Sequence, residues 1–457
     1  MNLQIILLSG GSGKRLWPLS NEVRSKIFLR LLPTGDGRRE SMIQRACGLL
    51  DKVGLLPFTS IVTHKRQIEI TRNHVGDQIP ILAEPYKRGT FMAVASAASY
   101  FHSKLLVDLD ETICVIPVDL FVEPEFYHLL HRLPGILAQS GSELALMGVI
   151  PNRPSTQYGY IVPHETGGKD YLDVSKFVEK PNKEVAASLI SENAFWNCGV
   201  FAFSLSYMLS CLKSKGLPND YEELLDRYEL FPEISFDEAV VEQTRHCVVV
   251  PYDKAWQDLG DWSILPNYLG SQVIGQGQIS SDSLHTHLIN ELMYPIHIIG
   301  LSNIIVAASP DGILVASKDK SNQIKNILNG WQRPMYEEKR WGKFWVLDHS
   351  KSDTETLTKK VEMLPGKNTS YHLHQKRREI LTIISGSGEF ILEGAKHSIQ
   401  TGDVLQIPPG AKHAVKAIGL LEYIEIQIGI ELNEEDVIRS AMSWEEMSKY
   451  CNTGEKP

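Results

Sequence analysis

The run Leu3–Leu8, interrupted only by Gln4, feeds directly into "SGGSGKRLWPLS". An apolar strand that breaks into glycines and then two cations limits the fold sharply. The strand must be buried, and the loop after it offers backbone N–H groups unshielded by Cβ, with Lys14 and Arg15 placed to meet an anion. Two phosphate-loop types are excluded by spacing. A Walker loop needs Gly-Lys followed by Ser or Thr, but Gly13-Lys14 is followed by Arg15. A dinucleotide fingerprint needs a third glycine where Leu16 stands.

The alternation begun by that strand continues to about residue 265. "TICVIPVD", "LALMGVI" and "GVFAF" read as strands, and helices are expected over Phe91–Ser103 and Lys183–Glu192. Strands alternating with helices imply an α/β fold, with a mixed sheet covered by helices on both faces. Ligands of such sheets bind at the strands' carboxyl ends, where the opening loop lies. From 266 to 334 the texture becomes short β-runs punctuated by turns such as Pro310-Asp311-Gly312. A third region, 335–457, is rich in strands with glycine turns and reads as an all-β sandwich or barrel. Its tail, "NEEDVIRSAMSWEEMSKY", reads as one amphipathic helix.

A chain of 457 residues has room for two or three domains, and 43% hydrophobic with 22% charged residues is a globular composition. A formal charge of −9 excludes a general nucleic-acid binder, which needs a basic face. The six cysteines are scattered without a C-x-x-C pair, as reduced thiols are. No basic leader precedes the first strand, and the longest apolar stretch, "PIHIIGLSNIIVAAS", is broken by His297, Ser302 and Asn303. A cytoplasmic protein without membrane partners is expected.

Gly10-Gly11-Ser12-Gly13-Lys14-Arg15-Leu16-Trp17-Pro18-Leu19 resembles the G-G-x-G-x-R-L-x-P-L signature of the sugar-nucleotide pyrophosphorylases. The resemblance extends over nearly the whole chain and is closer to the bacterial mannose-1-phosphate guanylyltransferases, including those fused to a mannose-6-phosphate isomerase domain. It implies condensation of GTP with mannose 1-phosphate, or a related sugar 1-phosphate, with release of pyrophosphate and with Mg²⁺ as cofactor. A homo-oligomer is expected.

The motifs carry residue roles by that resemblance. Gly10, Gly11 and Gly13 would cradle the triphosphate, with Arg15 and Lys26 of "RSKIFL" gripping it. Asp119, closing the strand "CVIPVD", and Asp258 of "WQDLGDW" would hold Mg²⁺. In "FVEKP", Lys180 would bind the sugar phosphate and Glu179 the sugar hydroxyls. Gly159 of "TQYGYI" and Asn197 of "FWNCGVF" would line the sugar pocket, whereas Trp196, Trp256 and Trp262 read as core or pocket wall. Glu84, Arg88 and Thr90 of "AEPYKRGTFMA" match a stretch near the nucleoside, but Gly89 and Phe91 depart from the family's E-P-x-x-R-[DN]-T-A-x-A. A different base or sugar is therefore one alternative.

"PGKNTSYHLHQKRREILTIISG" and "GDVLQIPPGAKHAVKA" fit the two cupin motifs in order. His372, His374, Glu379 and His413 would then ligate a second divalent metal, Zn²⁺ or similar, in a C-terminal cupin-type β-barrel. The isomerase surroundings differ: His372, Ile380, Leu381 and Ala414 replace the fused isomerases' residues, while Arg377 and Glu425-Ile426-Gln427 match them. Isomerase activity is therefore not expected. A further alternative is a cupin-type sugar-binding or regulatory protein with a degenerate transferase domain.

Overall fold

Leu3–Leu8 is buried along nearly its whole length because it pairs on both sides, in parallel, with Thr59–His64 and Thr112–Pro117. The computed structural model describes residues 3–11, 14–164, 170–328, 332–433 and 435–451. In it the chain gathers into two compact units, 1–15 with 25–270 and 16–24 with 271–457. Gly13 lies outside the described residues.

The first unit is built on a nine-stranded mixed sheet. Its spatial order is Ile81–Glu84, Thr59–His64, Leu3–Leu8, Thr112–Pro117, Phe195–Ser204, Leu144–Val149, Cys247–Tyr252, Leu172–Val178 and Tyr160–Pro163. Phe195–Ser204 runs antiparallel to both its central neighbours, which makes the sheet mixed. The helix Gly89–Ser103 starts two residues before the expected position and buries ten residues, Phe91 to Phe101 among them. Hydrophobic on all sides, it is a core helix rather than an amphipathic surface one. Phe101 and Val94 join Ile6, Val115 and Phe201 in one apolar cluster. Each such side chain contributes about 1.5–3 kcal/mol by leaving water.

In the second unit, parallel pairings join Val273–Gly275, His287–Asn290 and Ile304–Ser309, and the hairpin strand Gly312–Ser317 completes that sheet at its edge. A six-stranded and a five-stranded sheet, both antiparallel, form the barrel around Val361, Leu381, Phe390 and Tyr423. Leu16–Arg24, directly after the glycine loop, also belongs to this unit. There Arg24 forms a bidentate pair with Glu291, at 2.8 and 2.9 Å, and Asn21 donates to Asp311 at 2.7 Å. The linear reading contains no sign of this excursion.

The expected amphipathic tail helix is not what forms. Ile438–Ala441 is a strand paired with Tyr371–Leu373, and helix is confined to the single turn Trp444–Met447 and a 3-10 turn at Ser448–Tyr450. A free strand edge decides the structure of this short segment over its own periodicity. Among the described residues no helix is long and apolar enough to cross a membrane, and all six cysteines are free.

Candidate functional site

Asp119 follows the central strand Thr112–Pro117, and Asp258 ends the short strand Trp256–Asp258. Antiparallel pairing of that strand with Leu120–Val122, Asp258 opposite Leu120, brings the two carboxylates side by side. Between them stands Lys26, its Nζ 2.5 Å from Asp119 Oδ2 and 3.4 Å from Asp258 Oδ1. Gly260 is needed here for space: a Cβ would sit 2.8 Å from Asp258 Oδ1 and 3.2 Å from Lys26 Nζ.

The electrostatics follow from this geometry. Burial alone would lower the Lys26 ammonium, but Asp119 and Asp258 together hold it above the ordinary lysine range. Burial would raise Asp119, yet the close ammonium keeps it below the usual carboxylate range. Asp258, farther from Lys26 and facing Asp119, is raised by burial. Exposed Arg15 adds to the positive field at both carboxylates. Two hard-oxygen donors side by side, partly open to solvent, suit a divalent cation such as Mg²⁺.

A second group forms where Tyr160–Pro163, Leu172–Val178 and Phe195–Ser204 meet. Glu179 and Lys180 are in direct ion-pair contact just past the strand Leu172–Val178. A Cβ on Gly159 would lie 2.6 Å from Glu179 Oε2 and 3.4 Å from Asn197 Cβ, so glycine lets these residues approach. Asn197 donates from Nδ2 to Asp237 Oδ1 at 2.7 Å and accepts from the Gly199 N–H at 3.0 Å. Tyr158, Trp196 and Trp256 form an aromatic cluster with ring centroids 5.0–6.1 Å apart. Trp262 is fully buried.

The "AEPYKRGTFMA" stretch serves the loop from behind. Glu84 is buried, accepts from the Tyr228 hydroxyl at 2.6 Å, and is pushed up to about 7 by burial. A Cβ on Gly10 would be 3.7 Å from its Oε2, whereas one on Gly11 would meet nothing. Arg88 donates to the Glu229 carbonyl at 2.6 Å, and Thr90 Oγ1 accepts from the Phe236 N–H at 2.8 Å. Gly89 has φ +78°, and a Cβ there would fall 2.2 Å from the Ile234 carbonyl oxygen. The departure from Asp or Asn at this position thus has a steric cause.

In the barrel His372, His374 and His413 offer ligand atoms that all lie within 4.8 Å of one another. Each ring's Nδ1 faces a backbone carbonyl: Ser370 at 2.8 Å, Ala411 at 3.1 Å, and Asp436 in a shorter contact. Donation of Nδ1–H there leaves the Nε2 lone pairs pointing inward. The Nε2 atoms of His374 and His413 face Glu379 oxygens at 3.2 and 3.1 Å. Arg377 supplies the donor at His374 Nε2 and at the Glu379 oxygen beside it, whereas His413 Nε2 against the other Glu379 oxygen needs a ring proton or a metal ion between them. Burial lowers His372 to about 3 and His374 to about 4, which leaves these two rings neutral, the form that binds a metal. Burial would raise Glu379, but His413, His374 and Arg377 hold it well below the usual range. Arg377 donates to Glu379 at 3.0 Å and to His374 Nε2 at 3.0 Å.

Residues 4–268 match the nucleotidyl transferase family, and residues 359–426 match the cupin domain. The chain is 30% identical, over 95% of its length and 98% of the relative's, to a putative mannose-1-phosphate guanylyltransferase of Vibrio cholerae. The chain belongs to this family. A mannose-1-phosphate guanylyltransferase of Salmonella muenchen is 29% identical over 95% of this chain and 97% of its own. Among solved structures, that titled mannose-1-phosphate geranyltransferase from Thermus thermophilus shares 27% identity at a TM-score of 0.59. It covers 72% of this chain and 98% of its own.

Membership makes the chain an enzyme with a nucleotide and a sugar phosphate as substrates, and a family of this kind works with Mg²⁺. The geometry divides the motif residues into separate groups. Lys26, Asp119 and Asp258 form one, and Gly159, Glu179, Lys180 and Asn197 another. Thr90 and Arg88 instead bond the backbone of the segment 229–236. Asp237, the residue after that segment, escaped the sequence reading. "SFDEA" resembles an ordinary helix start, and only the fold brings it to Asn197.

Proposed function

We propose that the chain transfers a guanylyl group from GTP to mannose 1-phosphate, giving GDP-mannose and pyrophosphate. The carrying observation is a lysine held between two paired-strand carboxylates, in the same unit as a glycine-loop strand and a separate Glu-Lys-Asn group. A phosphate oxygen of the sugar phosphate attacks the α-phosphorus as the bond to the pyrophosphate group breaks. The nucleophile comes with the substrate, so the protein needs none of its own. Gly10, Gly11, Gly13, Arg15 and Lys26 bind the triphosphate, meeting charge that moves toward the departing pyrophosphate. Lys180 grips the sugar phosphate, Glu179 and Asn197 meet its hydroxyls past Gly159, and Glu84, Arg88 and Thr90 shape the nucleoside side. Asp119 and Asp258 would hold Mg²⁺, which when bound supplies neutralisation of the triphosphate.

The barrel residues His372, His374, Glu379 and His413 would hold a second divalent metal, Zn²⁺ or similar, in a domain that does not isomerise mannose 6-phosphate. Support comes from the altered surroundings: Leu381 is buried in the barrel core and Ala414 lies with Trp444 and Tyr371 in a separate apolar cluster. The three-part division at 265 and 334 belongs to this proposal, and so does a cytoplasmic location. A homo-oligomer is supported by the edge strand Gly312–Ser317, which leaves Ile313 and Val315 exposed. Light scattering on the purified chain measures that state.

Nucleoside triphosphates crossed with sugar 1-phosphates, read by pyrophosphate release, test the reaction. The expected result is release that is greatest with GTP and mannose 1-phosphate. Faster release with another base or sugar would replace the substrate assignment, and no release with any pair would overturn the reaction.

A further inference from the structure

Asp237 is the second residue of the short helix Phe236–Ala239, on a segment tied to the start of the helix Gly89–Ser103. The Phe236 N–H donates to Thr90 Oγ1 at 2.8 Å, and the Ile234 N–H donates to the Arg88 carbonyl at 3.2 Å. These bonds fix the backbone on which the Asp237 carboxylate is carried. From there Oδ1 accepts from Asn197 Nδ2 at 2.7 Å, across forty residues of sequence. The other end of the Asn197 amide accepts from the Gly199 N–H at 3.0 Å.

An amide side chain is nearly symmetric in shape and can be turned over at little steric cost. Here the turned-over form would set its oxygen against the Asp237 carboxylate and its NH₂ against the Gly199 N–H, two repulsive contacts. The observed orientation keeps one Nδ2 proton for a ligand. Asn197 also borders Gly159, whose missing side chain lets Glu179 close in. The Asp237 carboxyl itself is raised to about 6, chiefly by burial and then by the Glu179 charge.

We propose that Asp237 is a positioning residue of the sugar-phosphate site, holding the Asn197 amide in the one orientation that donates to a sugar hydroxyl. The inference rests on the reading of Gly159, Glu179, Lys180 and Asn197 as that site. It makes recognition of the sugar depend on a residue carried by a different element from the Glu-Lys pair.

The test is a mutant cycle on the full chain. Asp237→Ala should raise KM for mannose 1-phosphate about tenfold, equivalent to ~1.4 kcal/mol, and leave KM for GTP within about twofold. Asp237→Asn can still accept from Asn197 through its own Oδ1, and should restore KM to within about threefold of the parent. In an Asn197→Ala background, Asp237→Ala should change KM less than about twofold, because the amide it positions is gone. An equal rise in both KM values, an Asn variant as weak as the Ala variant, or a full effect in the Asn197→Ala background would each overturn the proposal. Should the parent prefer a different sugar 1-phosphate, the mannose assignment fails on its own, and the same cycle is run with the preferred sugar.

Discussion

Two buried glutamates, Glu84 behind the glycine loop and Glu379 in the barrel, show how differently the two units treat charge. Burial penalises both carboxylates. Glu84 receives one neutral donor, the Tyr228 hydroxyl, and ends near 7. Glu379 receives Arg377 and Gln427 at 3.0 and 3.1 Å with two imidazoles beside it, and stays ionised. The barrel therefore supplies a fixed negative charge among converging imidazoles, as a resident cation requires. The loop does the reverse. A carboxyl that can hold its proton behind Gly10 spares an incoming triphosphate the repulsion of a fixed anion. One site is finished before any ligand arrives, and the other is completed by its substrates.

The largest expected effect tests the open site. Asp119→Asn keeps the shape of the side chain but removes the charge facing Lys26. Turnover should fall about 10²–10³-fold, or ~2.7–4 kcal/mol of transition-state stabilisation, with thermal unfolding little changed. Near-normal turnover at low magnesium would remove Asp119 from the metal site and weaken the contrast between the two units.

Glu84→Gln comes next and sharpens the comparison directly. The folded Glu84 carboxyl titrates near 7, above its ordinary value of 4.5. Between those values the folded chain holds a proton that the unfolded chain has lost, so this group's contribution to stability falls as pH rises. Across that window the parent should lose on the order of 3 kcal/mol relative to the glutamine variant. Urea unfolding of both proteins at about pH 5 and about pH 8 measures the difference. Parallel behaviour would mean that Glu84 is ionised throughout, as Glu379 is.

Lys180→Ala should act on one substrate. Loss of a charge-assisted bond worth about 1.5–3 kcal/mol raises KM for the sugar phosphate by roughly 10–100-fold and leaves KM for GTP within about twofold. Initial rates with each substrate varied in turn distinguish this from a general loss. An equal change in both values would assign Lys180 to structural support through its contact with Glu179.

Much of the fold could be read from the chain because its signals are local. The alternation up to residue 265 shows four of the nine strands of the large sheet, Leu3–Leu8, Thr112–Pro117, Leu144–Val149 and Phe195–Ser204. Three features were not legible, each for a long-range reason. Leu16–Arg24 carries no compositional mark, and its partners Glu291 and Asp311 lie some 270–290 residues away. Ile438–Ala441 becomes a strand only because Tyr371–Leu373 has an edge to offer. Asp237 acquires its place from bonds to residues 88, 90 and 197, and nothing adjacent to it in sequence signals them. The pairing of Asp119 with Asp258 and the group around Asn197 could be anticipated from motif resemblance, whereas the place of Lys26 between the two carboxylates and the hydrogen-bond directions required coordinates.

The smallest effect on turnover is expected from the barrel, and it tests whether the two sites are independent at all. Every residue proposed for guanylyl transfer precedes 265, and every proposed barrel ligand follows 370. His372→Ala combined with His374→Ala removes two of three converging imidazoles, which should abolish metal binding in the barrel. Pyrophosphate release should stay within about twofold of the parent, since sites that lie in different units and share no residue act additively. Metal analysis and the release assay on both proteins give the answer together. A barrel metal retained in the variant would displace the imidazole assignment. Mannose-6-phosphate isomerisation by the parent would show that the exchanges at 372, 380, 381 and 414 leave that chemistry intact. Loss of transferase activity in soluble, folded variant would mean that the finished site helps to form the open one, and the contrast between them would become a dependence.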